Sequence, residues 1–211
     1  MEPLRALNYF SSPAALRCDL SAGVLTSRGG TRLIGISDDF LRGFVTACEH
    51  ETGPATALVL RRCGTFFGSR LAARCEKELA AYLGRSLRDC AMAEFEALLA
   101  DLWQGCGLGQ LRVDFSRGPL GFLAVRLINS PMQDIGPKGH VSDDMFAGIL
   151  EGFFGHFAGD GLVCIQTGDL RLGDKEGTTF VLLPDPQTQR VRSLLAAKQS
   201  HAQIVTQLSG A

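Results

Sequence analysis

The period of the apolar positions changes several times along the chain, and each change marks an element. Residues 22–36, AGVLTSRGGTRLIGI, carry β-formers on both sides of Arg28-Gly29-Gly30-Thr31 and predict a hairpin. Ser37 then stands as a helix cap, with Asp38 and Asp39 suited to a positive first turn. Phe40, Leu41, Phe44, Val45 and Cys48 follow at helical spacing, and Gly53-Pro54 stops that helix. A long helix is predicted over 55–83. Its expected apolar stripe is Leu58, Cys63, Phe67, Leu71, Cys75, Leu79 and Tyr82, and Gly84 ends it. Gly64 and Gly68 each weaken it by roughly 1 kcal/mol relative to alanine, so their spacing points to another element crossing close by. A third helix, over 87–104, carries Phe95, Leu98, Leu99, Leu102 and Trp103 and ends at GCGLG.

The pattern then shortens. QLRVDFS and GFLAVRLI, separated by the turn RGPLG, predict a second hairpin. The stretch 129–141 holds Pro131, Gly136, Pro137 and Gly139 and reads as a long loop, the natural cover for a pocket mouth. A helix packed with phenylalanine and glycine is predicted over 145–157, followed by a third hairpin. Amphipathic helical material from Val191 to about 208, broken near Ser200, closes the chain. The order ββ-ααα-ββ-α-ββ-α predicts an α+β fold: a mostly antiparallel sheet built from hairpins, with helices packed on one face. The expected divisions are a hairpin extension at 1–36, the main domain at 37–185 and a helical tail at 186–211.

Composition narrows the function. A net charge of −1 with no block of like charges argues against a nucleic-acid partner. No uncharged apolar run approaches the roughly 18 residues a membrane span needs. The start, MEPLRALNYF, has no apolar core of a secretory signal. The seven cysteines are odd in number and never spaced as CxxC, which fits reduced thiols in a cytoplasmic protein.

The chemistry-bearing motifs are sparse. His50, His140, His156 and His201 are scattered and form neither HExxH nor HxH, so a metal is not expected. No GxSxG elbow is present, and QGCGLGQL has Gln110 where a dinucleotide loop needs its third glycine. DLRLGDKEG lacks calcium-loop spacing and reads as a hairpin turn. In AGILEG, Gly148 and Gly152 lie on one helical face and would let a neighbouring backbone approach closely. Phe146, Ile149, Leu150, Phe153 and Phe157 cover the other directions, either as core or as the wall of an apolar cavity.

At this helix and the hairpin after it the sequence resembles the 4-vinyl reductase domain family, of the same broad fold group as small subunits of the TRAPP vesicle-tethering complex. The residues that carry the resemblance are Ala147-Gly148 through Gly152, the turn Leu172-Gly173-Asp174, and Phe180. It extends upstream through DDFLRGF, LRRCGTFFG and LRVDFS, over roughly 30–185. Some members of that family bind zinc through cysteines and a glutamate. The matching positions are Asp143, Gln166, Asp169 and Thr178 (or Gly177), so no thiolate remains and no zinc is implied. ILEGFFGHF and FEALLADLW also resemble the D subunit of bacterial cellulose synthase, a non-catalytic oligomeric protein.

The reading that follows is a non-catalytic small-molecule-binding or sensory module without a cofactor. Its apolar pocket is expected near the 145–157 helix and lined by Trp103, Phe122, Phe146, Leu150 and Phe153. The alternative is a structural assembly subunit, and a third reading is a relative of tetrapyrrole vinyl reductases. A cavity among the rings favours the first; a filled core with an apolar outer patch favours the second. A homodimer is expected, because hairpin sheets leave edges that need covering.

Overall fold

The computed structural model describes residues 8–132, 135, 143–159, 161–169 and 177–210. Three short strands open it: β1 (Leu16–Asp19), β2 (Val24–Ser27) and β3 (Arg32–Leu33), paired antiparallel in that order. The predicted hairpin is β2–β3, closed where the Ser27 N–H donates to the Thr31 carbonyl at 2.8 Å. Three helices follow: α1 (Asp38–Thr52), α2 (Thr56–Leu83) and α3 (Met92–Gly105). The second sheet has β4 (Gln110–Asp114), β5 (Leu123–Ile128), β6 (Leu162–Gly168) and β7 (Thr178–Pro184) in the order β4-β5-β7-β6, all antiparallel. Helix α4 (Asp144–Ala158) links the two hairpins, and α5 (Thr188–Ala196) and α6 (His201–Leu208) end the chain.

The architecture is α+β, as the hairpin pattern predicts. Leu111, Val113, Val125, Leu127, Cys164, Phe180 and Leu182 face α2, α3 and α4 in one large core. The C-terminal helices do not share that face. Val191 and Ile204 pack on Phe122, Ile165, Val181 and Leu183, on the opposite side of the sheet. Helices on one face therefore describes α2–α4 alone, and β7, covered on both sides, is buried over Thr178–Leu183.

The principal helix contact is α2 on α4, and it is made of backbone. A Cβ on Gly64 or Gly68 would stand 2.1 Å from the carbonyl oxygen of Met145 or Ile149. Reciprocally, a Cβ on Gly148 or Gly152 would stand 2.1 Å from that of Arg61 or Thr65. Four glycines, two on each helix, let the axes close to a distance no side chain permits. This crossing corrects the stripe read for α2. Leu58, Phe67 and Tyr82 are 52%, 40% and 46% exposed, and Cys63 is exposed. The buried line instead runs Leu60, Gly64, Gly68, Leu71, Cys75 and Leu79. Glycine contributes no hydrophobic signal, so the true contact face was hidden by the residues that make it.

Polar side chains fasten the layers. Arg61 of α2 donates to Glu151 of α4 at 2.8 Å and to the Cys164 carbonyl of β6 at 2.8 Å. Buried Glu78 accepts from the hydroxyls of Ser27 (2.7 Å) and Thr31 (3.1 Å), which docks the first sheet on α2. Asp101 of α3 accepts the backbone N–H of Phe10 (2.8 Å) and of Ser11 (3.2 Å).

Candidate functional site

The base of α4 concentrates the unusual chemistry. Asp143 caps the helix: its Oδ1 accepts the Phe146 N–H at 3.2 Å, and its Oδ2 accepts the Ser130 hydroxyl at 3.1 Å. Its own N–H donates to Oε1 of Gln166 on β6, whose Nε2 lies 3.4 Å from Oδ2 of Asp169. Ser130, Asp143 and Asp169 are all buried. Burial pushes the Asp143 carboxyl up to about 7, against the pull of the Phe146 and Ser130 hydrogen bonds.

Three of the positions matched to the family's metal ligands, Asp143, Gln166 and Asp169, are thus brought into one hydrogen-bonded cluster. Thr178 lies at the start of β7, its hydroxyl buried and without a partner among the described residues. The donor set does not fit zinc of that design. It offers oxygen and amide groups in place of thiolates, and both Asp143 oxygens already accept hydrogen bonds. Among the described residues no group of three or more His, Cys, Asp or Glu could hold a metal ion. His156 lies 2.8 Å from Glu76, and His201 lies 2.7 Å from the Thr167 hydroxyl.

Of the five residues read as pocket walls, four come together. Trp103 of α3 and Phe146, Leu150 and Phe153 of α4 share the large core, each no more than 2% exposed. The Trp103 and Phe153 rings meet edge to face, 5.4 Å apart at 82°. Phe122 is elsewhere, in the second core under α5 and α6. Strand alternation explains this: Leu123, Val125 and Leu127 point to α2–α4, so Phe122 and Ala124 point away. Four clefts of about 310–490 Å³ on the molecule are lined by other residues, so none of them opens onto these rings.

One atom in this packing is unsatisfied. Trp103 Nε1 is buried and has no hydrogen-bond partner among the described residues. Sequence reasoning selected Trp103 for its ring, and nothing in the sequence signalled that its N–H would be left over. Ser130, which fixes Asp143, gave no signal either. Most of the expected cover at 129–141 lies outside the described residues, as does the turn 172–174.

Comparison with known proteins bears on the fold. No protein-family model matches the chain, and no curated protein matches it. Among solved structures it is similar to the phenol-responsive sensory domain of the transcription activator PoxR, solved with phenol. The TM-score is 0.64 at 16% identity, over 88% of this chain and 92% of that one. The two share a fold. The chain is also similar to a vinyl-4-reductase family protein from Methanocaldococcus jannaschii, with a TM-score of 0.49 and 19% identity, over 72% of this chain and 83% of that one. A third similarity is to trafficking protein particle complex subunit 3 from Naegleria fowleri, covalently bound to palmitic acid. Here the TM-score is 0.47 at 14% identity, over 70% and 94% of the two chains. Among the described residues no helix is long and apolar enough to cross a membrane.

Proposed function

We propose that this chain is a non-catalytic binding or sensory module for a small, largely apolar molecule carrying a hydrogen-bond acceptor, held where α3 meets α4. The observation that carries this reading is the buried Trp103 Nε1, which has no hydrogen-bond partner among the described residues. A buried donor without an acceptor costs about 1–3 kcal/mol, and a ligand oxygen placed against it recovers that cost. Phe146, Leu150 and Phe153 supply the apolar walls such a site needs. None of the four clefts reaches these rings, so entry through any of them needs side chains around the rings to move. The Asp143 cluster, which ties the base of α4 to Ser130 and to β6, is the point such a movement would strain. The PoxR sensory domain, which shares the fold, lends support: it responds to phenol, whose hydroxyl oxygen is an acceptor for an indole N–H.

Calorimetric titration with phenol, the cresols and other substituted phenols tests this. Saturable binding of one molecule per chain by a phenol is expected. Trp103→Phe, which keeps an aromatic ring and removes the donor, should weaken it about tenfold, the equivalent of one hydrogen bond. No heat with any of these compounds, or equal affinity for the variant, overturns the reading.

The second reading, a structural assembly subunit, meets both conditions set for it: none of the four clefts reaches the rings, and the outer surface carries large apolar side chains. Ile34, Ile36, Phe40 and Phe66 are 81%, 52%, 60% and 68% exposed. Both readings include self-association. All seven cysteines are free, which supports the cytoplasm as the compartment.

A further inference from the structure

Residues 34–40, IGISDDF, form a run of seven consecutive exposed residues that joins β3 to α1. The run is both apolar and acidic: Ile34, Ile36 and Phe40 alternate with or flank Asp38 and Asp39. Helix α1 continues the character, with four carboxylates (Asp38, Asp39, Glu49, Glu51) against one arginine, Arg42. No cation among the described residues pairs with Asp38 or Asp39.

The outer face of α2 has the complementary composition. A groove of about 390 Å³ is lined there by Thr31, Phe67, Arg70, Leu71, Arg74 and Lys77. It presents three cations beside Phe67, Ala73 and the edge of buried Leu71, and it has no carboxylate in its lining. The two carboxylates of that stretch of α2 are engaged elsewhere: Glu76 with His156 and Arg88, and Glu78 beneath Ser27 and Thr31. No carboxylate among the described residues pairs with Arg70 or Lys77. The Arg70 guanidinium instead stands 5.4 Å from the Phe66 ring centroid, which extends the apolar and basic surface outward.

We propose that this groove receives the Ile34–Phe40 segment of a second copy of the chain, and that the two copies exchange segments about a two-fold axis. A symmetric contact of this kind requires one molecule to carry both complementary surfaces, and this chain does. The apolar side chains lose water against Phe67 and Ala73, while Asp38 and Asp39 face Arg70 and Lys77. Charge complementarity fixes the register and makes the association weaken as salt rises. The inference is independent of the ligand reading, since none of the exposed residues it uses belongs to the core that holds Trp103.

Charge reversal with sedimentation velocity tests it. Wild-type protein should sediment as a dimer. Asp38→Lys with Asp39→Lys, and separately Arg70→Glu with Lys77→Glu, should each give monomers with unchanged far-ultraviolet circular dichroism. Mixing the two reversed proteins in equal amounts should restore a dimer, because each then meets a groove of opposite sign. Ile36→Ser with Phe40→Ser, which leaves the charges alone, should also give monomers and serves if a reversed variant fails to fold. A wild-type protein that is monomeric at about 100 µM, well above the Kd of ordinary specific complexes, overturns the proposal. So does a dimer that survives these substitutions, or a mixture that stays monomeric.

Discussion

Helices α1 and α4 have the same length, 15 residues, and opposite fates. In α4 eight residues are buried, among them Gly148 and Gly152; in α1 only Val45 is. Both carry phenylalanines and an acidic first turn, but α4 is much the more apolar: beyond that turn α1 holds Arg42, Glu49, His50 and Glu51, and α4 only Glu151 and His156. Backbone proximity separates them further. A Cβ on Gly148 would overlap the Arg61 carbonyl, whereas one on Gly43 of α1 would meet nothing within 4 Å. Gly148 and Gly152 of α4 are contact residues, and Gly43 of α1 is an unfilled position on an exposed helix.

The sharpest way to break this comparison is to put side chains on the two glycines. Gly148→Leu must force α4 off α2. It should destabilise by about 4 kcal/mol, beyond ordinary overpacking because the obstacle is backbone. For a chain of this size that lowers Tm by roughly 8–16 °C in calorimetry. An unchanged Tm would show that the crossing is looser than described.

The next effect is on pH. Asp143 has its folded pKa raised from an ordinary 3.8 to about 7 by burial. A carboxyl raised in this way contributes stability that is fully present below its unfolded pKa. That contribution is lost as pH rises from about 4 through about 7. Asp143→Asn keeps a capping side chain and cannot ionise, so it removes this slope. Chemical denaturation at pH 4 and pH 8 should show the variant gaining about 2–3 kcal/mol relative to wild type at the higher pH. Parallel profiles for the two proteins would show that Asp143 ionises freely.

The smallest effect completes the contrast. Gly43→Ala on α1 should stabilise by up to about 1 kcal/mol through helix propensity, the opposite sign from any substitution at Gly148. A loss of stability there would mean that this face of α1 is already packed within the protomer.

These differences mark where the sequence was legible. Most helix limits were, because side chains and caps announce them: 55–83 against Thr56–Leu83, and a break near Ser200 where that residue forms a capping box with Gln203. The start predicted at 87 was not, since Leu87–Asp89 is a separate 3-10 turn and α3 begins at Met92. Strand β1 was not, since all four of its residues are exposed and no alternation betrays it. The contact face of α2 was misread because Gly64 and Gly68 carry no side chain to register. Phe122 was misplaced by a single residue of strand phase, which reverses the face of the sheet. Trp103, Phe146, Leu150 and Phe153 share one core because helical spacing places them on the apolar stripes of adjoining helices. The Asp143–Gln166–Asp169 cluster joins residues up to 26 apart in sequence, and only the meeting of α4 with β6 brings it together.

The central claim is that the Trp103 N–H waits for a ligand acceptor. Trp103 is the only tryptophan in the chain, so a ¹H–¹⁵N spectrum contains one indole cross-peak and no assignment is needed. Titration with phenol should move that peak downfield as Nε1 begins to donate, with saturation at one phenol per chain and no comparable shift with benzene. An indole resonance that stays fixed while phenol binds, or that moves equally with benzene, would contradict the account.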